Sequence, residues 1–357
     1  MRGLESYLAK ACLLVLFASA PQETAGWQTV RGGPDAQCGL GDPYYFFARI
    51  ASPDSLLVFF GGGGACWDAA SCDVEGSPRF RPTVDTTSPR LYQRGILLFT
   101  NSRNPFKNYS MLVVSYCTGD LHLGSRTVEY QRRRGDSTTA FRIHHVGAQN
   151  ARAALNWISE RVPSPARIVV TGQSAGAIPT TYFAAILARQ HPSAHVVQIG
   201  DAFGAFRAPR ATSVLLRHWG ADSMLVADGL VEASEAAPIT FEDLYIGAVK
   251  VAPSLQIAQV NSVADSTQLL FLNLFGARNV SVSAMLAANM SEIHAAVPGF
   301  RFFVVDGSKH VFLSSPDVYE ATSEGVRLLD WIADLAGGRS VESVGRTLLS
   351  QARTGGR

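Results

Sequence analysis

Short runs of β-branched and aromatic residues recur along the chain at Tyr45 to Ile50, Leu56 to Phe60, Met111 to Ser115, Arg167 to Thr171, Val196 to Ile199, Leu255 to Val260 and Phe302 to Val305. Most are continuously apolar rather than alternating, the pattern of strands buried on both faces. Between them lie stretches of helical period, such as Ala151, Ala154, Leu155, Ile158 and Val162, and later Leu328, Leu329, Ile332 and Leu335. Buried strands alternating with amphipathic helices predict an α/β fold, with a mostly parallel central sheet carrying helices on both faces. The period breaks up from Arg207 to Gly247, which reads as a lid or an insertion. With no internal repeat and no low-complexity linker, residues 26–337 read as a single domain. The Gly-, Ser- and Arg-rich residues 338–357 read as a flexible tail.

The N-terminus has a pattern of its own. An apolar run from Ala11 to Ala20 follows Arg2 and Lys10 and ends in Ala18-Ser19-Ala20. It is about half the ~20 residues a membrane span requires. Residues 1–25 therefore read as a secretory signal peptide, cut after this triplet or near Thr24-Ala25, and no integral membrane segment is expected once it is removed. The expected location is secreted or periplasmic. Removal takes Cys12 and leaves Cys38, Cys66, Cys72 and Cys117, an even set suited to disulfides in an oxidising compartment. No C-x-x-C pair supports a zinc site.

Composition narrows the function classes. The chain has 357 residues, 47% of them apolar and 17% charged, which excludes general disorder. Lys and Arg number 31 against 29 Asp and Glu, a net charge of +2 with no broad basic field to hold nucleic acid.

The most specific chemical signal is Gly172-Gln173-Ser174-Ala175-Gly176, between the strand Arg167 to Thr171 and the helix-like Ala184 to Ala188. A serine on a tight strand-to-helix turn holds its hydroxyl above the sheet edge, and flanking glycines let the backbone pass closely. Ser174 is the candidate nucleophile. Its tetrahedral intermediate needs rigid donors for the oxyanion. Gly61-Gly62-Gly63-Gly64, directly after the strand Leu56 to Phe60, is the glycine-rich loop where the hydrolase fold needs one; the N–H groups of Gly63, Gly64 and Ala175 are assigned to that hole. A phosphate cradle is the other use of four glycines, but Ala65-Cys66-Trp67 stands where a P-loop has G-K-[ST].

In this fold the order is serine, acid, histidine. His191, His195, His218 and His294 lie close behind Ser174 or in polar, helical or irregular contexts, whereas His310 sits in the loop after the late strand Phe302 to Val305. His310 is the expected base. For the acid, residue context leaves two positions open: Asp265, in the turn after Leu255 to Val260, and Asp306, which would reach back across its own turn. Other polar groups read as structural: Asp120-Leu121-His122 and His144-His145 are weak candidates for a metal or sugar hydroxyls, and Arg132-Arg133-Arg134 reads as a solvated turn. Asn108, Asn279 and Asn289 each begin a glycosylation sequon.

Together these blocks resemble the pectin acetylesterases, a family that also takes in Notum-like carboxylesterases. The likeness runs from about Cys38 to Leu335 and rests on Gly62 to Asp68 with Cys72-Asp73, Ser115 to Asp120, Gly172 to Gly176, Asp201, Asn261 to Gln268, and His310. The resemblance implies an α/β-hydrolase-like fold, no cofactor or metal, a Ser174, Asp265, His310 triad, and disulfides pairing Cys66 with Cys72 and Cys38 with Cys117. It favours Asp265 over Asp306. The implied activity is extracellular ester cleavage, first of short acyl groups such as acetyl on a polysaccharide such as pectin. Longer fatty-acyl esters of protein or lipid come second, and a glycan-binding member without catalysis is the rival of another class. Ala65 stands where plant members usually carry an aromatic, so Trp67, Phe203 and Phe206 are the candidates for lining the acyl site.

Overall fold

The computed structural model describes residues 26–86, 93–232 and 237–354, with side chains described as far as Ser350. The expected signal segment, 1–25, lies outside the described residues. One eight-stranded sheet organises the chain. Its strands are β1 (Gln28–Arg31), β2 (Tyr45–Arg49), β3 (Ser55–Phe60) and β4 (Ser110–Val114). After a separate polar hairpin, β5 (Arg126–Arg134) and β6 (Ser137–His145), it continues with β7 (Arg167–Gln173), β8 (His195–Asp201), β9 (Gln256–Ser262) and β10 (Arg301–Val305). The order is β1-β2-β4-β3-β7-β8-β9-β10. All pairings from β4 to β10 are parallel, and β1 and β2 are added antiparallel at one edge. Every predicted run is a strand of this sheet. Residues β11 (Thr322–Ser323) and β12 (Val326–Arg327) form a small hairpin outside it.

The period-two geometry of β3 shows how the sheet divides the core. Leu56, Val58 and Phe60 face one side, and Leu57 and Phe59 the other. Ten helices surround the sheet among the described residues: α1 (Ala69–Cys72), α2 (Gly147–Ser159), α3 (Pro179–Gln190), α4 (Pro209–Trp219), α5 (Ala221–Ala227), α6 (Phe241–Val251), α7 (Ser266–Leu274), α8 (Val282–Ala296), α9 (Leu328–Ala336) and α10 (Arg346–Thr354). Helices α2, α3, α6 and α8 bury apolar stripes on the first face. On the second face α9 buries Leu328, Leu329, Ile332 and Leu335 beside loop residues such as Phe106 and Phe312. This is an α/β-hydrolase-like arrangement.

Two expectations change. Between Arg207 and Gly247 the described residues form α4, α5 and the start of α6, and Leu215, Leu216, Trp219 and Leu225 join the main core. The period breaks because two short helices meet at Gly220, which caps α4 with φ 73°. Of the residues expected to form a flexible tail after Gly337, those described are docked instead. Val344 exchanges backbone hydrogen bonds of 2.9 Å with Phe302 and Val304, and Leu349 on α10 is buried in the core. A polar tail with two well-spaced apolar residues is enough to cover the open edge of β10.

Disulfides join Cys38 to Cys117 and Cys66 to Cys72. The first spans 79 residues and the second 6. By loop entropy the long bridge contributes about 4 kcal/mol and the short one about 2 kcal/mol. Replacing Cys38 and Cys117 by serine should lower the Tm by roughly 6 °C for a chain of this size. Calorimetry giving an unchanged Tm would contradict that contribution.

Candidate active site

Ser174 stands at the carboxyl end of β7 with φ 51°, in the left-handed region that side chains other than glycine rarely occupy. A single 3-10 turn, Ser174–Gly176, joins it to α3, which starts with Pro179 in its first turn. The flanking glycines are a steric requirement. A Cβ on Gly172 would lie 2.1 Å from the Gly176 carbonyl oxygen, and one on Gly176 would lie 2.3 Å from that of Phe60. The strained turn is therefore wedged against the end of β3, where the glycine loop begins.

That loop is anchored at both ends. Gly61 N–H donates to Val114 O at 2.9 Å, Ala65 N–H to Arg79 O at 3.0 Å, and Arg81 N–H to Gly63 O at 3.0 Å. Among the described residues the N–H groups of Gly63 and Gly64 find no acceptor. Gly64 has φ 80°, and a Cβ there would sit 1.8 Å from Arg79 O. Ala175 lies at the start of the 3-10 turn, where the first N–H groups have no carbonyl behind them.

A buried imidazole holds the loop from below. His122 Nε2 lies 2.8 Å from Gly61 O, and because a carbonyl only accepts, the proton is on Nε2. Burial pushes His122 down to about 4, so it stays neutral. Leu121 and His122 both have positive φ, 55° and 57°. Asp120 enforces this turn: its carboxylate accepts from Thr118 Oγ1 at 2.6 Å, His122 N–H at 3.1 Å and Gly147 N–H at 2.7 Å. Burial raises Asp120 to about 6 against these donors.

Across the cleft, Asp265 caps α7. One oxygen accepts the N–H groups of Thr267 at 2.9 Å and Gln268 at 3.0 Å, and the other accepts Gln268 Nε2 at 3.0 Å. His310 Nδ1 approaches the same carboxylate at 2.8 and 3.1 Å. A carboxylate only accepts, so Nδ1 carries the proton and Nε2 presents a lone pair. Nε2 is buried and has no hydrogen-bond partner, Ser174 included. Asp306 is exposed and turns back on its own neighbour, accepting Gly307 N–H at 2.8 Å.

Ser174, Ala175, Gly64 and His310 all line one cavity, whose space of about 440 Å³ includes its mouth open to solvent. The rest of its wall is almost wholly apolar. Phe203 and Phe206 contribute from the loop after β8, Phe241 from α6, Phe271 from α7 with Phe275 just beyond it, and Trp219 from the end of α4. The rings of Phe203, Phe206, Phe241 and Phe275 pack on one another with centroids 4.9 to 5.8 Å apart. Trp67 does not line the cavity; it stacks behind Phe275 at 4.3 Å. The other wall residues carry little linear signal, although Phe271 and Phe275 repeat at i, i+4 just after Asp265. Trp219 is positioned by donating from Nε1 to Cys66 O at 2.9 Å, on the disulfide loop.

The family model for pectinacetylesterase matches residues 30–213. The chain belongs to the pectinacetylesterase family. Membership places it among esterases, and the matched segment contains the glycine loop and Ser174 while Asp265 and His310 lie beyond it. Among solved structures, the Wnt deacylase Notum from Drosophila matches with a TM-score of 0.61 at 16% identity, covering 90% of this chain and 96% of that one. At that identity the likeness speaks for the fold. Comparison with curated proteins finds no match.

The remaining polar motifs of this pectinacetylesterase-family chain serve its frame. His145 donates from Nδ1 to Thr118 O at 2.8 Å, so its Nε2 accepts the Tyr130 hydroxyl at 2.8 Å; Tyr130 in turn accepts from His218 Nε2 at 2.7 Å. This chain ties the hairpin to α4. Cys66, Cys72 and His145 are the one metal-like cluster among the described residues, and both sulfurs are bonded to each other. Arg132 and Arg134 end strand β5 rather than forming a turn, and both pair with Asp73 and Glu75. Asn289, in one of the sequons, is buried between Gln259 and Glu242 and is closed to a glycan in the folded chain.

Proposed function

We propose that this protein is a secreted serine esterase that cleaves a carboxylic ester through an acyl-enzyme, with the acyl chain seated in the aromatic cavity. The observation that carries the reading is the buried, unpartnered Nε2 of His310, backed by Asp265 and lining the same cavity as Ser174. In this mechanism the arriving ester closes the gap between Ser174 and His310, because such hydrogen bonds often tighten only with substrate bound. Nε2 takes the Ser174 proton as Oγ attacks the carbonyl carbon. The N–H groups of Gly63, Gly64 and Ala175 receive the oxyanion, the imidazolium protonates the leaving alcohol, and water repeats the cycle on the acyl-enzyme. Asp265 holds the tautomer and stabilises the imidazolium.

Family membership favours acetyl esters of pectin as substrate. The cavity wall favours a longer acyl chain, because an acetyl group, of about two water volumes, leaves most of the aromatic surface uncovered. We adopt the longer-chain reading. Two disulfides and the signal-like N-terminus support secretion. A fluorophosphonate probe tests the chemistry: an adduct on Ser174, lost in Ser174→Ala, is expected. A wild-type protein that takes no label would instead be a non-catalytic binder.

A further inference from the structure

We propose that Asp201 is a positioning residue for His310, clamping the histidine's loop; this rests on the esterase reading above. Asp201 ends β8 and pairs in register with Gln173, the residue before Ser174. It is fully buried. One oxygen accepts two successive N–H groups, Phe312 at 2.8 Å and Leu313 at 2.7 Å, just past His310. The other oxygen is buried without a partner, so every hydrogen bond this carboxyl makes goes to that loop. Its neighbour Gln173 accepts the hydroxyl of Ser314, so two adjacent strand ends grip three consecutive residues.

The near side of the same loop is held separately. Ala264 N–H donates to Gly307 O at 3.0 Å and the Ser262 hydroxyl to Lys309 O, both from the segment that leads to Asp265. His310 therefore hangs between two clamps, one tied to the acid's strand and one tied to the nucleophile's. Without the second, the far side of the loop keeps the bond from Ile96 N–H to Leu313 O and the burial of Phe312 and Leu313, but the two N–H groups just past His310 lose their acceptor.

Burial pushes Asp201 up to about 7 against the two N–H donors and His310, so the carboxyl serves the loop chiefly as a hydrogen-bond acceptor.

The test compares Asp201→Ala and Asp201→Asn with wild type, using a nitrophenyl ester. In the alanine variant kcat should fall about 10²-fold with KM little changed, the scale of a misplacement of about 1 Å. The asparagine amide oxygen still accepts both N–H groups, so kcat should return to within about threefold of wild type. A folded Asp201→Ala enzyme with wild-type kcat overturns the proposal. If that variant fails to fold, Asp201→Ser, whose side chain is one bond shorter, takes its place: a kcat loss of about tenfold or more at unchanged KM is expected, and a folded serine enzyme with wild-type kcat overturns the proposal. Wild-type protein without Ser174-dependent hydrolysis would overturn the esterase reading itself, which separates the two failures.

Discussion

Ser174→Ala should lower kcat/KM by on the order of 10⁴-fold or more, since removal of a nucleophile that acts as a unit with its base leaves only binding and oxyanion stabilisation. The change deletes one oxygen from a residue whose backbone is already held at φ 51° by its neighbours. The turn is wedged by Gly172 and Gly176 against the end of β3, and none of those contacts involves the hydroxyl. Alanine tolerates this conformation as well as serine does, so the Tm should stay close to wild type. Steady-state hydrolysis of a nitrophenyl ester, with a thermal melt on the same sample, checks both halves. Retention of more than about 1% of activity would mean that some other group attacks, because even partial loss of a triad exceeds that factor.

Lengthening the acyl chain from acetyl to octanoyl should raise kcat/KM by about 10² to 10³. Each methylene buried against the aromatic wall contributes about 0.8 kcal/mol, close to fourfold, and six are added. The full product is an upper bound, because part of the binding is uniform and some methylenes remain wet. The wall is made by Phe203, Phe206, Phe241, Phe271 and Phe275, with no ionisable group except His310. Leu215→Trp, which fills the cavity from α4, should move the optimum to shorter chains. A nitrophenyl ester series below the micellar range measures both. A kcat/KM that is highest with acetate and falls with every added carbon would return the assignment to acetyl esters.

How much of this was legible beforehand differs from element to element. Seven of the eight sheet strands were visible because strands buried on two faces must be continuously apolar, a signal carried by each residue alone; the exposed edge strand β1 carries no such signal. The polar hairpin β5–β6 was not, since its strands are largely exposed and lean on Asp73 and Glu75 from elsewhere in the chain. The docked tail was missed for a similar reason: Val344 and Leu349 look unremarkable until β10 offers them an open edge. Trp67 was expected in the acyl site by its nearness to the glycine loop, yet its ring lies behind Phe275, a residue more than two hundred positions later.

Local steric demands were the part that the linear chain could determine. Only glycine fits at 172, 176 and 64, so the strand-to-helix turn and the loop facing it are written as short, recognisable strings. Convergence was decided by the tertiary structure alone. Which carboxylate meets His310, how Asp201 grips the far side of its loop, and which rings enclose the space beside Ser174 all depend on strand order in the sheet. Hydrogen bonds and ring contacts act over a few ångströms, while the residues that make them lie tens to hundreds of positions apart, and nothing in the order of residues records that distance.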